Sequence, residues 1–444
     1  MFKCTNKTRV LLSLPLVFGV DYSIGFVINY LGFMKILLIN IHQLLQIRES
    51  DVCYVAGKQM DDLPLLQNAW LLINKDTIED FGPMQTVPLK ATKNIIDCSD
   101  RVVMPTYCDS HSHIVYAGDR VDEFVQRLEG KSYQEIAAMG GGILNSAQKL
   151  KKTTENQLYQ QAAQRLENCA YLGTGALEIK SGYGLNLESE LKMLRVAKRL
   201  GTKFPVAIKS TFLGAHALPE KYKDRKDEYV RHICKDMIPE VATQNLADYI
   251  DVFCEEGYFD LADTEQILSA GAKHGLKGKI HVNQFNIIGG VALGVAMEAL
   301  SVDHLELLDE EDLSALEGGQ TMPVALPGCS LFLDIPFTPA RTIIDRGLPL
   351  ALATDFNPGS APSGNMNLVI SLACMRMKMT PAEAINAATI NGAYAMGLAT
   401  THGSITRGKK ASLIITDPIK DYSHLPYDFG QNHIDQVILN GRIL

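Results

Sequence analysis

Between residues 103 and 400 the sequence changes its hydrophobic period repeatedly, and that alternation constrains the fold more than any other feature. Short apolar, β-like runs lie near 103–109, 174–180, 206–213, 249–255, 279–283, 301–304, 321–326 and 349–354, with helical patterns between them. Such alternation predicts a parallel sheet with crossover helices, because each helix must bury its apolar stripe against the sheet. Eight units in about 300 residues match an α/β fold of the (β/α)8 TIM-like barrel type, which takes roughly 250 residues plus insertions. One helix start is explicit: Thr380-Pro381-Ala382-Glu383 offers an N-cap, a first-turn proline and a capping-box glutamate.

The flanks read differently. Ala69–Ile73, a turn at Asn74-Lys75-Asp76 and Ile78 suggest a hairpin, and Ser412–Thr416 and Gln436–Leu439 read as further strands. The expected organisation is a barrel over 103–400 and a small β-sandwich domain formed from both chain ends, 34–102 and 401–444. Residues 1–33 stand apart. Lys3, Lys7 and Arg9 precede an apolar stretch from Val10 to Phe33 that Pro15, Asp21 and Asn29 interrupt. The preferred reading is an upstream extension outside the fold, with translation starting at Met34; the alternative is an export or anchor segment.

Polar residues fall where such barrels do chemistry, at the C-terminal ends of strands. His111 and His113 follow the first run, Tyr183 the second and His216 the third; His281 lies in the fifth, His304 ends the sixth and Asp355 the eighth. In His111-Ser112-His113 the period of two puts both imidazoles on one side of an extended segment. His281 and Asp355 sit in apolar runs, where an unpaired imidazole or carboxylate is costly. Three imidazoles and one carboxylate suit one Zn2+ or Fe ion per chain, not Mg2+ or Ca2+, which prefer oxygen. Asp355 would then take a proton from the attacking water and pass it to the leaving nitrogen, while His304 orients the water or the carbonyl oxygen.

A formal charge of −8 without a basic run argues against nucleic acid, since phosphate binding needs clustered Lys and Arg. The expected partner is a small molecule, with no membrane. Nine cysteines without a Cys-x-x-Cys pair read as reduced thiols of a cytoplasmic protein.

Several segments carry a resemblance. They are His111-Ser112-His113-Ile114-Val115-Tyr116-Ala117-Gly118-Asp119-Arg120, Tyr133-Gln134-Glu135-Ile136-Ala137, Lys180-Ser181-Gly182-Tyr183-Gly184-Leu185, Phe212-Leu213-Gly214-Ala215-His216 and Ala353-Thr354-Asp355-Phe356-Asn357-Pro358-Gly359-Ser360. Together they closely resemble the imidazolonepropionases, a family of the amidohydrolase superfamily that acts in histidine degradation. The resemblance runs from about residue 34 to the end. It implies hydrolysis of 4-imidazolone-5-propanoate to N-formimino-L-glutamate and a homodimer. It also implies that His111, His113, His281 and Asp355 hold zinc or iron, and that Arg120, Tyr133, Tyr183, His216, Gln284, Asn357, Gly359 and Ser360 contact substrate or product. Arg120 offers a two-pronged fork for the propionate, against the plain alternative of an arginine paired with Asp119 or Asp122. Gln284 stands where many related deaminases carry a proton-shuttling glutamate. It joins Asp355 and His304 among the expected catalytic side chains, and its lack of an acid function leaves Asp355 more of the proton transfer. Lys180 occupies the place of a modified lysine in two-metal relatives, yet no second complete ligand set accompanies it; Glu178, Lys180 and Glu255 read as structural polar residues. Two other readings are kept: a different amidohydrolase that opens or deaminates a nitrogen heterocycle, and a non-catalytic barrel scaffold.

Overall fold

The computed structural model describes residues 35–131, 135, 136, 139 and 141–444. The readings of residues 1–33 and of Tyr133 lie outside the described residues.

Two sheets organise the chain. In chain order the strands are β1 (Ile36–Leu45), β2 (Leu65–Asn74), β3 (Thr77–Pro83), β4 (Ile95–Asp97), β5 (Arg101–Pro105), β6 (Tyr107–Asp109), β7 (Thr174–Lys180) and β8 (Ala207–Ala215). They continue with β9 (Tyr249–Cys254), β10 (Lys277–Val282), β11 (Ser301–His304), β12 (Met322–Ala325), β13 (Ala351–Leu352), β14 (Leu413–Pro418), β15 (Ile434–Leu439) and β16 (Arg442–Ile443). Strands β6 to β13 pair in parallel and in sequence order. The ring is drawn shut just past β6 and β13, where Asp355 N donates to His111 O at 2.9 Å and His113 N donates to Phe356 O at 2.9 Å. Those closing bonds carry three of the four expected metal ligands, so barrel closure and ligand placement are one event.

Every residue of β9 is buried, as expected of a parallel strand covered on one face by helices and on the other by the barrel interior. The Thr380 helix begins as its sequence directs: Thr380 and Glu383 cap each other reciprocally at Pro381–Asn386.

The chain ends supply the other sheet, in the order β16-β15-β14-β5-β1-β2-β3 with β4 beside β1. The hairpin β2–β3 turns at Lys75, whose φ of 58° is the left-handed value a tight turn needs. One expectation is corrected. The run 103–109 is not one barrel strand: Arg101–Pro105 pairs with β1 and β14 in the terminal sheet, and only Tyr107–Asp109 joins the barrel. Proline at 105 has no N–H for a continuing ladder, and the chain changes sheets there. Among the described residues no helix is long and apolar enough to cross a membrane.

His402, buried just before the terminal sheet resumes, gives a stability test. Burial, then the neighbouring Lys410 and Lys409, push its imidazolium down to about 4. The unfolded chain takes up this proton near pH 6.5 and the folded chain only near 4, so stability falls as pH drops through that window. The loss should reach about 3 kcal/mol by pH 4. Denaturant midpoints between pH 7 and 4.5 should fall less steeply in His402→Gln; parallel slopes for both proteins would refute the assignment.

Candidate metal centre and active-site cleft

At the C-terminal mouth of the barrel four side chains converge. His113 Nε2 lies 3.3 Å from His111 Nε2 and 3.4 Å from His281 Nε2. Asp355 Oδ1 lies 3.5 Å from His111 Nε2 and 3.6 Å from His113 Nε2. Imidazole and carboxylate donors packed 3.3–3.6 Å apart are unfavourable unless a proton or a cation lies among them, and separations of this length suit bonds of about 2.0–2.2 Å to a central ion. The donor set therefore fits Zn2+ or Fe2+. Burial is the main cause that holds His111 and His113 well below the ordinary imidazole range, followed at His111 by the Lys180 ammonium and at His113 by the neighbouring imidazoles, so both present lone pairs at neutral pH.

Behind the four donors lies a buried charge lattice. His111 Nδ1 donates to Asp303 Oδ2 at 2.7 Å, and His281 Nδ1 lies 3.0 Å from Asp251 Oδ2. These carboxylates fix which ring nitrogen faces the cleft. Lys180 Nζ joins them, 2.7 Å from Asp251 Oδ2, 3.4 Å from Asp303 Oδ2 and 2.7 Å from Glu178 Oε1. Lys279 holds the other oxygen of Glu178. Lys180, which two-metal relatives would modify, is thus fully committed to ion pairs.

The cleft above is lined by His113, Arg120, Tyr183, His216, Gln284, His304, Asp355, Asn357 and Ser360, among others. His216 stacks on His113 at 5.2 Å, and its Nδ1 must donate to Gly182 O at 3.1 Å because a carbonyl only accepts. Burial pushes it down to about 3, so a neutral His216 presents Nε2 as an acceptor. His304 differs. Burial opposes its charge, but Glu306, Asp355 and Asp303 hold it up to about 8. Burial raises Asp355 above the usual carboxylate range, against the pull of His304 and His281. The main chain of Gln284 and Phe285 donates to Glu255 Oε2 at 3.1 and 3.0 Å, so Glu255 anchors the loop that presents Gln284.

Arg120 is not a surface residue. It is buried, and its partner is Glu123, one helical turn on, at 2.7 Å from Nε, not Asp119 or Asp122. Glu123 also accepts from Gly142 N and Asn145 Nδ2, which fixes the guanidinium. Asn357 braces the opposite wall: its Oδ1 accepts from the main chain of Gly359 and Ser360 at 2.8 Å each. Gly359 packs on the guanidinium so tightly that a β-carbon there would stand 2.0 Å from Arg120 Nη1. Gly359→Ala should therefore displace Arg120 and raise KM about tenfold with a smaller change in kcat. Steady-state kinetics with an unchanged KM would show that the fork position is irrelevant.

The amidohydrolase family model matches residues 263–444. The imidazolonepropionase of Flavobacterium johnsoniae is 60% identical over 411 residues, covering 93% of this chain and 100% of the relative. The chain belongs to the imidazolonepropionase family. The Geobacillus kaustophilus imidazolonepropionase is 41% identical over 407 residues, covering 90% of this chain and 96% of its own. Among solved structures, atrazine chlorohydrolase from Arthrobacter aurescens complexed with zinc superposes with a TM-score of 0.69 at 13% identity, covering 92% of this chain and 95% of that one. That likeness concerns the fold. As a member of the imidazolonepropionase family the chain is a hydrolase that uses a metal cofactor.

Sequence reasoning missed several members of the site. Asp251 was legible as an aspartate inside the apolar run Tyr249–Cys254, and Asp303 as a second one inside Ser301–His304. Glu123 carried no such signal, because its role depends on the turn of the helix Val121–Leu128.

Proposed function

We propose that this chain hydrolyses 4-imidazolone-5-propanoate to N-formimino-L-glutamate, with one catalytic Zn2+ or Fe ion per chain held by His111, His113, His281 and Asp355. The observation that carries this reading is the pairing, in one cleft, of the four-donor cluster with a buried, pre-positioned arginine. When bound, the ion supplies Lewis acidity, which brings water near hydroxide at neutral pH and polarises a carbonyl. Arg120 and Tyr183 bind the propionate, with Tyr133 assigned to the same group by family resemblance. His216, Gln284, Asn357, Gly359 and Ser360 shape the wall for the ring. Asp355 accepts a proton from the attacking water, and the oxygen adds to the ring carbonyl. His304, charged near neutral pH, donates to the oxygen on which negative charge grows. The ring C–N bond then breaks, Asp355 returns the proton to the leaving nitrogen, and the carbonyl carbon ends as a carboxylate. Gln284 can hold the ring by hydrogen bonds but cannot relay the proton. We assign the working protein to the cytoplasm as a homodimer, divided into a barrel over 103–400 and a β-domain from 34–102 and 401–444.

The test is to measure bound metal in the purified protein and to follow loss of imidazolonepropionate absorbance. Turnover that disappears with a chelator and returns with Zn2+ or Fe2+ is expected; no turnover in metal-replete protein would defeat the reading. Arg120→Met should raise KM about 100-fold with kcat within a few-fold, since a charge-assisted bidentate contact contributes about 2–3 kcal/mol. A KM within threefold of the parent would remove Arg120 from the carboxylate site.

A further inference from the structure

A second group of ligating side chains borders the four-donor cluster. His304, Glu306 and Cys329 are buried, and bring an imidazole nitrogen, a carboxylate oxygen and a thiol sulfur within 4.8 Å of one another. The backbone between the first two is strained, with φ of 88° at His304 and 62° at Leu305, in a region bulky residues avoid unless their surroundings enforce it. Cys329 sits in the first turn of the helix Pro327–Leu333, and its sulfur accepts from Gln284 Nε2 at 3.3 Å. Glu306 is where the arrangement is incomplete. Its Oε1 faces His304 Nδ1 at 3.3 Å and accepts from Ser330 Oγ at 3.4 Å, but Oε2 is buried without a hydrogen-bond partner. A bare buried carboxylate oxygen is costly, and the reaction above makes no use of it.

We propose that His304, Glu306 and Cys329 form a second, inhibitory site for a thiophilic divalent cation such as Zn2+ or Cd2+. Imidazole, carboxylate and thiolate together make the mixed nitrogen, oxygen and sulfur set that these ions favour. Ligation releases the Cys329 proton to solvent, and any proton on His304 with it, so the sulfur and ring nitrogen each give a lone pair to the ion. Glu306 Oε2 gains the partner it lacks. An occupied site withdraws His304 from the cleft, so turnover falls while the first ion stays in place. The inhibitory consequence rests on the reaction assigned above; the binding does not.

The experiment titrates holoenzyme carrying one equivalent of metal with Cd2+, without substrate, and reads the ultraviolet sulfur-to-cadmium charge-transfer band and the bound stoichiometry. It is run in a His433→Ala background, because His424, Asp428 and His433 form a separate part-exposed trio that could also take metal. One further equivalent should bind as the band rises, and turnover assayed in parallel should fall at least tenfold. Cys329→Ala should abolish the band, and Glu306→Gln should weaken the second binding at least tenfold. No second equivalent, a band that survives Cys329→Ala, or an affinity unmoved by Glu306→Gln overturns the site. A second equivalent bound with full turnover overturns the inhibition. The band and stoichiometry need no substrate, so failure of the assigned reaction would be seen separately, as absent turnover before any Cd2+ is added.

Discussion

Asp355→Asn is expected to lower kcat by about 10³-fold or more and to weaken metal retention, with little change in fold. The substitution keeps the shape of the side chain and one oxygen donor. It removes the negative charge that faces His111 and His113 at 3.5 and 3.6 Å, and with it the carboxylate assigned to take and return a proton at the cleft floor. Gln284 cannot compensate, being an amide, and neither can Glu306, which sits behind His304. Two measurements separate the contributions. Metal content after dialysis reads the ligand role, and single-turnover rates at saturating metal read the proton transfer. If the metal-saturated variant turned over within tenfold of the parent, Asp355 would be a ligand only and another base would have to exist.

The architecture was legible because it rests on period and composition, which a sequence displays directly. Apolar runs with polar residues at their ends locate the barrel strands, and the histidines at those ends point to a shared ion because a buried imidazole or aspartate needs a partner. The reciprocal cap at Thr380 was readable for the same reason: all its atoms lie within four residues. What was not legible depends on distance in space. The run 103–109 looks continuous, and only the pairing of Val102–Met104 with β1 and β14 reveals that the terminal sheet claims its first half. Arg120 has three acidic neighbours in sequence, Asp119, Asp122 and Glu123; helix geometry, not nearness in the chain, selects the one at i+3. Cys329 reads as an ordinary buried thiol, and nothing in Pro327–Leu333 announces that Glu306 and His304 stand beside it.

Lys180→Met should destabilise the protein by about 3–5 kcal/mol, the usual result of removing one partner from a buried ionic group. Lys180 is fully buried and touches three carboxylates, two of which orient His111 and His281, the proposed metal ligands. Burial works against its charge, but Asp251, Glu178 and Asp303 together hold it above the usual ammonium range. Methionine fills a similar volume and brings no charge, so Asp251 and Asp303 keep only uncharged partners such as His281 and His111, and Lys279 remains as an ammonium beside Glu178. The melting temperature should fall by about 10 °C. Metal affinity should fall as well, because repelling carboxylates no longer hold His111 and His281 in register. A double variant, Lys180→Met with Glu178→Gln, discriminates ionic from steric causes. It removes one charge of each sign, so it should recover part of the lost stability. A double variant as unstable as the sum of the two single ones would mean that shape, not charge balance, is what Lys180 contributes.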